Sequence, residues 1–283
     1  MLGFFNCNKS NGVSSGFVVN KIKHATHEKC GHLGTLDPNA TGVLPIAIGK
    51  ATRFFDYFLK KDKVYEAVCQ FGMLTSTLDP EGEILEMQDV DVQEEKVQEF
   101  LPKLTGAIMQ TPPIYSAISI NGKRAYEYAK NNEEINLEPR ECKIFEFRLI
   151  KKIKKNTYSF YIHCAAGTYV RSLLLDLAKL MGTVSTTLEI NRIKSGPFDI
   201  VKACTVEEIC ADPQKHLIDV TDVVKLPKVN VDAQTKTDIQ NGKTPVLKDL
   251  PSGEFFVYYN GEIICLAENV SGKIKSKIYL YSE

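Results

Sequence analysis

The stretch from Gly31 to Pro45 most constrains how this chain can fold, because its three glycines and two prolines exclude a continuous helix. It reads GHLGTLDPNATGVLP and predicts a loop before an apolar segment. Its one carboxylate, Asp37, is biased toward an extended backbone by Pro38. An isolated Asp-Pro pair would predict only a turn, with the carboxylate accepting a backbone N–H two residues on. The length of the run favours a loop that presents Asp37 to a ligand.

Strand-like and helix-like runs are interspersed along the next part of the chain, and this order predicts an α+β fold. Residues 64–71 alternate with a period of two, which places Tyr65 and Phe71 on the same face of a strand. The runs Cys142–Ile150 and Thr157–His163 are rich in aromatic and β-branched residues, so they predict an antiparallel hairpin around a basic turn.

A helix is predicted from Thr168 to a stop at Gly182. Arg171 falls in its first turn, where the helix dipole disfavours a cation, so we expect a negative partner beside it. From Pro227 onward, short strands alternate with glycine turns, which predicts a small β domain. We therefore expect one domain over residues 1–223 and a second over 224–283.

The composition is that of an ordinary globular protein, with 43% hydrophobic and 25% charged residues. Lysine and arginine together number 35, as do aspartate and glutamate, so the formal net charge is zero. No global positive field therefore points to a nucleic acid, and any such site must be a local basic surface.

Eight cysteines occur without a C-x-x-C pair, which argues against a structural zinc site. His24, His27, Cys30 and His32 lie close together, but no second cluster offers further ligands, so we expect no metal. Cysteines in apolar, strand-like contexts indicate a reducing compartment. The N-terminus turns polar too early for a signal peptide and no run reaches membrane-spanning length, so we expect a cytoplasmic protein with no membrane association.

The run at 31–45 resembles the catalytic motif of the TruB family, whose members convert uridine 55 in the T loop of tRNA to pseudouridine. The family's further motifs follow in order at Lys63-Val64-Tyr65, Thr75–Gly82, Pro112–Ala117, Asn121–Tyr126 and Cys164–Arg171. The resemblance implies a mixed, largely antiparallel sheet with flanking helices, which is the pseudouridine synthase fold. It also likens the C-terminal β domain to a PUA-type RNA-binding module.

Three catalytic residues are implied by this resemblance. Asp37 matches the catalytic carboxylate, and Arg171 matches the arginine paired with it. Tyr65 matches an aromatic residue that packs on the target uracil and can assist proton removal from C5. The reaction breaks the N1–C1′ bond, rotates the base and joins C5 to C1′ without a redox step or an external reactant, so no cofactor is expected. The carboxylate could add to C6, attack C1′ or take a proton from C2′.

Four substrate-binding residues are implied in the same way. His32 matches a histidine that inserts into the T loop beside the flipped nucleotide, and Tyr169 resembles a pocket wall. Asp79 and Arg192 match RNA-contacting positions. The implied substrate is the T stem-loop of tRNA, bound by a monomer that requires no protein partner.

Two positions depart from the family pattern, since Ser119 and Asn191 stand where basic residues are usual. The loss of charge weakens the expectation of RNA binding more than that of the chemistry. Two alternatives stay open: a tRNA-binding folding factor whose catalysis is secondary or lost, and an RNA-guided subunit, whose usual long basic extensions are absent here. A nucleoside hydrolase is disfavoured because the loop presents one carboxylate and classical glycoside hydrolysis uses two.

Overall fold

The computed structural model describes residues 1–116, 118–120, 122–131, 133 and 135–281. Ala117 and Asn121, which belong to two of the family motifs, lie outside the described residues, as do the last two residues of the predicted second domain. Among the described helices, none combines the length and the apolar run that crossing a bilayer needs.

The described strands are, in chain order, β1 (Gly3–Lys9), β2 (Cys30–His32), β3 (Thr41–Ile48), β4 (Lys63–Phe71), β5 (Met73–Thr75), β6 (Ile84–Met87), β7 (Gly106–Gln110), β8 (Ser119–Ile120), β9 (Lys123–Arg124), β10 (Arg140–Lys154), β11 (Thr157–Cys164), β12 (Ser185–Ser195), β13 (Phe198–Asp199), β14 (Cys204–Thr205), β15 (Lys228–Asn230), β16 (Glu254–Tyr259), β17 (Glu262–Val270) and β18 (Lys273–Tyr279). The helices are α1 (Ser15–Thr26), α2 (Phe55–Leu59), α3 (Glu94–Phe100), α4 (Ala125–Lys130), α5 (Val170–Leu180), α6 (Val206–Ala211), α7 (Pro213–His216), α8 (Val220–Val223) and α9 (Ala233–Gln240).

The large sheet has the spatial order β14-β1-β3-β12-β4-β11-β10-β7, with β2 added on β3 and β13 on β12. The described pairs β1–β14 and β3–β12 are parallel, and the other pairs of this sheet are antiparallel. The predicted mixed, largely antiparallel sheet with flanking helices is therefore confirmed.

Helix α5 forms where the leucine spacing predicts a helix. It begins at Val170, ends at Leu180, and buries Leu173, Leu174 and Leu177 completely against β4, β10 and β11. Burying a leucine side chain contributes roughly 1.5–3 kcal/mol, so this face fixes the helix on the sheet. Arg171 lies in the first turn of this helix, as predicted.

The segment from Gly31 to Pro45 is a loop only in its middle. Its first two residues end β2, and Thr41 already begins β3, which pairs with β1 on one side and β12 on the other. Sheet pairing on both sides extends the strands into the segment that glycine and proline mark as a loop. Residues 33–40, which connect the two strands, are called the Asp37 loop below.

The C-terminal part forms a separate sheet with the order β15-β16-β17-β18. The turns at Asn260-Gly261 and Ser271-Gly272 have positive φ at both residues, as the type I′ turn of a two-residue hairpin requires. Phe256 and Leu266 of this sheet pack in one buried cluster with Phe4 of β1, so the apolar core is continuous between the two sheets. The domain boundary after residue 223 stays a prediction.

Candidate active site

Buried side chains fix the Asp37 loop from beneath. Lys9, at the end of β1, has an exposure of 0%, and its Nζ donates to the Pro38 carbonyl at 2.8 Å. The Ser15 hydroxyl donates to the Leu36 carbonyl at 2.8 Å and accepts from the Leu36 N–H at 2.9 Å. Because Leu36 and Pro38, on either side of Asp37, are both hydrogen-bonded to buried side chains, the backbone that carries the carboxylate is fixed.

Arg192 supports the same loop and is only 1% exposed. It lies opposite Tyr65 in the β12–β4 pair. Its Nε donates to the Val43 carbonyl at 2.7 Å, and its two terminal nitrogens donate to the carbonyls of Thr35 and Gly34 at 3.2 and 3.0 Å. The prediction that Arg192 contacts RNA is therefore corrected, because a buried guanidinium whose three nitrogens are committed to carbonyls has no surface to offer a phosphate.

One glycine of the motif is required by close packing against β12. Gly42 has φ +99°, and a Cβ there would lie 2.3 Å from the Arg192 carbonyl oxygen. Only glycine fits where β3 approaches β12 in this way. Gly31, in contrast, does not have a positive φ, and a Cβ there would lie no closer than 3.9 Å to Thr52, so this position does not require glycine.

Asp37 and Arg171 form an ion pair in which the Asp37 Oδ2 lies 2.8 Å from the Arg171 Nη2. The arginine side chain is 5% exposed and the aspartate side chain 42% exposed, so the cation approaches from the interior and the carboxylate reaches solvent. The guanidinium also donates to the carbonyls of Thr77 and Tyr115 at 2.7 and 2.9 Å. Asp37 is thus the negative partner that the dipole argument requires for Arg171.

A second carboxylate reaches the same guanidinium. The Asp79 Oδ2 lies 3.5 Å from the Arg171 Nη1, and its Oδ1 accepts from the Thr77 hydroxyl at 2.5 Å and the Glu81 N–H at 3.1 Å. Leu78, which precedes it, has φ +62°, a conformation that bulky residues rarely adopt. The argument against a hydrolase therefore loses its premise, since the structure brings two carboxylates together where the motif shows one.

The predicted tyrosines are half-buried. Burial raises the pKa of Tyr65; the positive charge of Arg192 opposes this rise and the negative charge of Asp37 adds to it. Burial likewise raises the pKa of Tyr169, the residue before α5, and Asp37 again adds to the rise. Both hydroxyls are therefore protonated at neutral pH, which favours stacking by Tyr65 over proton removal by its phenolate.

His32 lies at the end of β2 with its ring half-buried. Burial lowers its pKa, and the positive charge of Arg192 lowers it further, so the ring is neutral at pH 7. Its Nδ1 is buried and has no hydrogen-bond partner among the described residues. A neutral, flat, half-exposed ring is compatible with the predicted contact to a base.

Three of the predicted residues, Asp37, Asp79 and Arg171, line one narrow cleft. Glu189 and Ile190 also line it. Tyr65, Tyr169, His32 and Arg192 are not among the described residues that line it. Two larger clefts lie elsewhere, near Lys50 and Arg53, and share no residue with it. In the described part of the chain, no three His, Cys, Asp or Glu side chains converge in a way that would hold a metal ion.

Sequence reasoning missed Lys9 as a component of the site. Burial lowers the pKa of Lys9 to about 8, while the negative charge of Asp37 opposes this shift. Its Nζ donates to the carbonyls of Ser10 and Val13 as well as that of Pro38. The sequence gives one weak signal, a lone lysine that ends an otherwise uncharged strand.

Similarity to solved structures supports the fold. A structure of an H/ACA RNP bound to a substrate RNA containing 2'-deoxyuridine superposes with a TM-score of 0.73 and 21% identity, covering 99% of this chain and 85% of the other. A Cbf5-Nop10-Gar1 complex gives a TM-score of 0.71 and 24% identity, covering 97% and 84% of the two chains. At these identities the likeness establishes architecture alone.

Sequence comparison identifies the family. The model of the TruB family pseudouridylate synthase, N-terminal domain, matches residues 22–170. A tRNA pseudouridine synthase B of Streptococcus agalactiae serotype III (strain NEM316) is 35% identical over 286 aligned residues, covering 96% of this chain and 97% of the relative. The corresponding protein of Caldanaerobacter subterraneus subsp. tengcongensis is 38% identical and covers 85% of each chain. The resemblance in the sequence motifs is confirmed, and this chain belongs to the TruB family of pseudouridylate synthases.

Proposed function

We propose that this protein isomerises uridine 55 in the T loop of tRNA to pseudouridine, with Asp37 as the catalytic carboxylate. Relatives that match nearly the whole chain are named tRNA pseudouridine synthase B. The proposal for Asp37 rests chiefly on its 2.8 Å pair with Arg171, in which the carboxylate is exposed and the cation is buried. This arrangement suits a carboxylate that must act on a substrate outside the protein.

The chemistry requires a negatively charged carboxylate beside the glycosidic bond. Arg171 stabilises that charge through a short contact from the protein interior. Asp37 then adds to C6, attacks C1′ or takes a proton from C2′, the N1–C1′ bond breaks, and after rotation of the uracil C5 is joined to C1′. Any bond to Asp37 is then broken, or the proton is returned to C2′, while C5 loses its proton and N1 gains one. The atoms of the uridine are conserved, so the reaction consumes no second substrate and uses no cofactor.

The target base must leave the stack of the T loop before it reaches Asp37, at a cost of a few kcal/mol. Tyr65 packs on the uracil, and such stacking contributes about 1–3 kcal/mol per base. The neutral ring of His32 fills the place of the extruded base, and Tyr169 forms a wall of the pocket. Asp79 contacts the RNA from the edge of the cleft while it also holds Arg171.

The enzyme acts as a cytoplasmic monomer without a protein partner, and residues 224–283 form a PUA-like RNA-binding domain. All eight cysteines lie within the described residues, and each is a free thiol, which supports a reducing compartment. The four-stranded C-terminal sheet supports an appended β domain.

Incubation of the purified protein with an unmodified tRNA transcript, followed by mapping of pseudouridine, tests the proposal. We expect modification at uridine 55 without added protein or guide RNA. Asp37→Asn should lower the single-turnover rate by at least about 1,000-fold and leave the tRNA dissociation constant within about threefold. The matched control is Asp56→Asn, an exposed aspartate of α2, which should retain the wild-type rate.

Other outcomes would contradict the proposal in distinguishable ways. Tight tRNA binding without product would indicate a folding factor. Product only in the presence of guide RNA and partner proteins would indicate a guided subunit. Release of free uracil would indicate a hydrolase that uses Asp37 and Asp79, and pseudouridine at another position would refute the substrate site.

A further inference from the structure

A buried glutamine joins the last residue of β7 to the residue that precedes α5. Gln110 is 3% exposed. Its Oε1 accepts from the Tyr169 N–H at 2.8 Å, and its Nε2 donates to the Tyr169 carbonyl at 3.1 Å. One side-chain amide therefore holds both backbone polar groups of Tyr169, which fixes that residue in position and in orientation.

Contacts on the other side of Arg171 complete this attachment. The Ser172 hydroxyl, which is buried, donates to the Thr111 carbonyl at 2.9 Å. Tyr169 and Ser172, which lie before and after Arg171 in the chain, are thus bound to consecutive residues of one segment, Gln110 and Thr111. The backbone of Arg171 is fixed before its side chain extends to Asp37.

The two hydrogen bonds between the Gln110 amide and the Tyr169 backbone, called the clamp below, exceed what the start of a helix requires. The first N–H groups of a helix lack intrahelical partners, and a side chain close in sequence usually accepts from one of them. Tyr169 provides no such cap. The acceptor comes instead from Gln110, 59 residues earlier on the edge strand of the large sheet, and the same amide also returns a donor to the Tyr169 carbonyl.

We propose that Gln110 is a positioning residue for the reaction, because its amide holds the first turn of α5 where the Arg171 guanidinium meets Asp37. The inference rests on the proposed function and adds a residue to it. Arg171 pairs with Asp37 at 2.8 Å, and a misplacement of about 1 Å in an active site can cost about 100-fold in rate. Gln110 does not touch the substrate; it acts through Arg171.

Two substitutions separate the parts of the clamp. Gln110→Met keeps the length of the side chain and removes both hydrogen bonds. Gln110→Glu keeps the acceptor for the Tyr169 N–H but places a carboxylate against the Tyr169 carbonyl. It therefore replaces Gln110→Met in the same measurements if Gln110→Met does not fold. Gln98→Met is the matched control, because Gln98 is exposed on α3 and bonds only to Glu94 in the described residues.

The first measurement is amide hydrogen exchange over residues 169–173 in the free protein, which does not depend on activity. We expect about tenfold faster exchange in both Gln110 variants and no change in Gln98→Met. In single turnover with saturating enzyme, Gln110→Met should lower the rate about 10- to 100-fold, with the tRNA dissociation constant within about threefold. When Gln110→Met is combined with Arg171→Lys, the rate should fall by less than about twofold below that of Arg171→Lys alone.

Additive losses in the double variant would show that Gln110 acts independently of Arg171 and would overturn the proposal, as would a loss confined to tRNA affinity. Unchanged exchange over residues 169–173 would overturn it without reference to catalysis. If the wild-type protein makes no pseudouridine, the proposed function fails, and the exchange comparison still decides whether Gln110 fixes this turn.

Discussion

Arg171 and Arg192 are both buried beside the Asp37 loop, but they have different partners. Arg171, at the start of α5, pairs with the carboxylates of Asp37 and Asp79. Arg192, in β12, donates to backbone carbonyls of the Asp37 loop and β3. A buried guanidinium needs hydrogen-bond partners in either case, because an unpaired buried charge is costly. Burial alone therefore does not identify the arginine that takes part in the chemistry; its partners do.

The difference has an electrostatic consequence. Carbonyls are neutral, so the charge of Arg192 is not cancelled by its own partners, and Lys9 lies under the same loop with only carbonyls as acceptors. The positive charge of Arg192 lowers the pKa values of Lys63 and Lys9, although burial is the larger cause at both. The loop is thus supported by positive charge from below, while Arg171 holds the carboxylates from the side.

Arg171→Lys tests the chemical half of this comparison and should have the largest effect of the substitutions of these buried cations. Lysine keeps the charge but cannot reach two carboxylates and two carbonyls at once, since it lacks the planar fork of arginine. We expect the single-turnover rate to fall about 100- to 1,000-fold, a loss of the size seen when one stabilising donor is removed from an active site. Quench-flow with a radiolabelled tRNA measures this rate.

The matched control is Arg148→Lys, because Arg148 is 53% exposed and pairs with Glu146 on the surface. Its rate and stability should stay at wild-type values, since exposed pairs contribute little. If Arg171→Lys keeps more than about a tenth of the wild-type rate, the simultaneous contact of one guanidinium with both carboxylates is not needed, and the distinction between the two arginines loses its chemical basis.

Arg192→Met tests the structural half. Three carbonyls lose their donor, two of them in buried hydrogen bonds, so we expect the free energy of unfolding to fall by about 3 kcal/mol, measured by urea denaturation. The affinity for tRNA and its dependence on salt should not change. A slope of log affinity against log salt that becomes shallower by about one, with stability intact, would show that Arg192 contacts a phosphate and that our correction of its role is wrong.

The elements of the fold follow from local patterns, and most were predictable. Leucine spacing marks α5, and alternation marks β4 with the face that carries Tyr65. Glycine and proline predict one loop over residues 31–45, because they report only the local preference of the backbone. The ends of this segment belong to β2 and β3, because β2 pairs with β3 and β3 pairs with β1 and β12. No local pattern records which strands will be neighbours.

The site was predictable where a motif exists and not where the fold alone brings residues together. Asp37 and Arg171 were named from the family resemblance, and the structure pairs them. The family resemblance implies that Arg192 contacts the RNA, but the direction of its side chain depends on the register of β12 opposite β4, which the motif does not record. Gln110 bonds to backbone atoms of Tyr169, 59 residues later, for which the sequence carries no signal, and the signal for Lys9 is weak.

Lys9 sharpens the comparison because, unlike Arg192, it can lose its proton in an accessible pH range. Its pKa is about 8 in the folded protein, against 10.5 for an unperturbed lysine, and burial is the main cause. Between pH 8 and 10.5 the unfolded chain therefore binds more protons at this residue than the folded protein does. The sign follows from linkage: the free energy of unfolding contributed by Lys9 rises with pH through this window.

We expect the Lys9 contribution to rise by about 2 kcal/mol between pH 7 and pH 10. Urea denaturation of the wild type and of Lys9→Met across this range measures it, because subtracting the two curves removes shared contributions. These include Lys63, whose pKa burial also lowers to about 8, and the buried thiol of Cys69, whose pKa burial raises to about 12. Parallel curves would mean that Lys9 keeps an ordinary pKa in the fold. The positive charge beneath the Asp37 loop would then persist through this range, and Lys9 would differ from Arg192 in size alone.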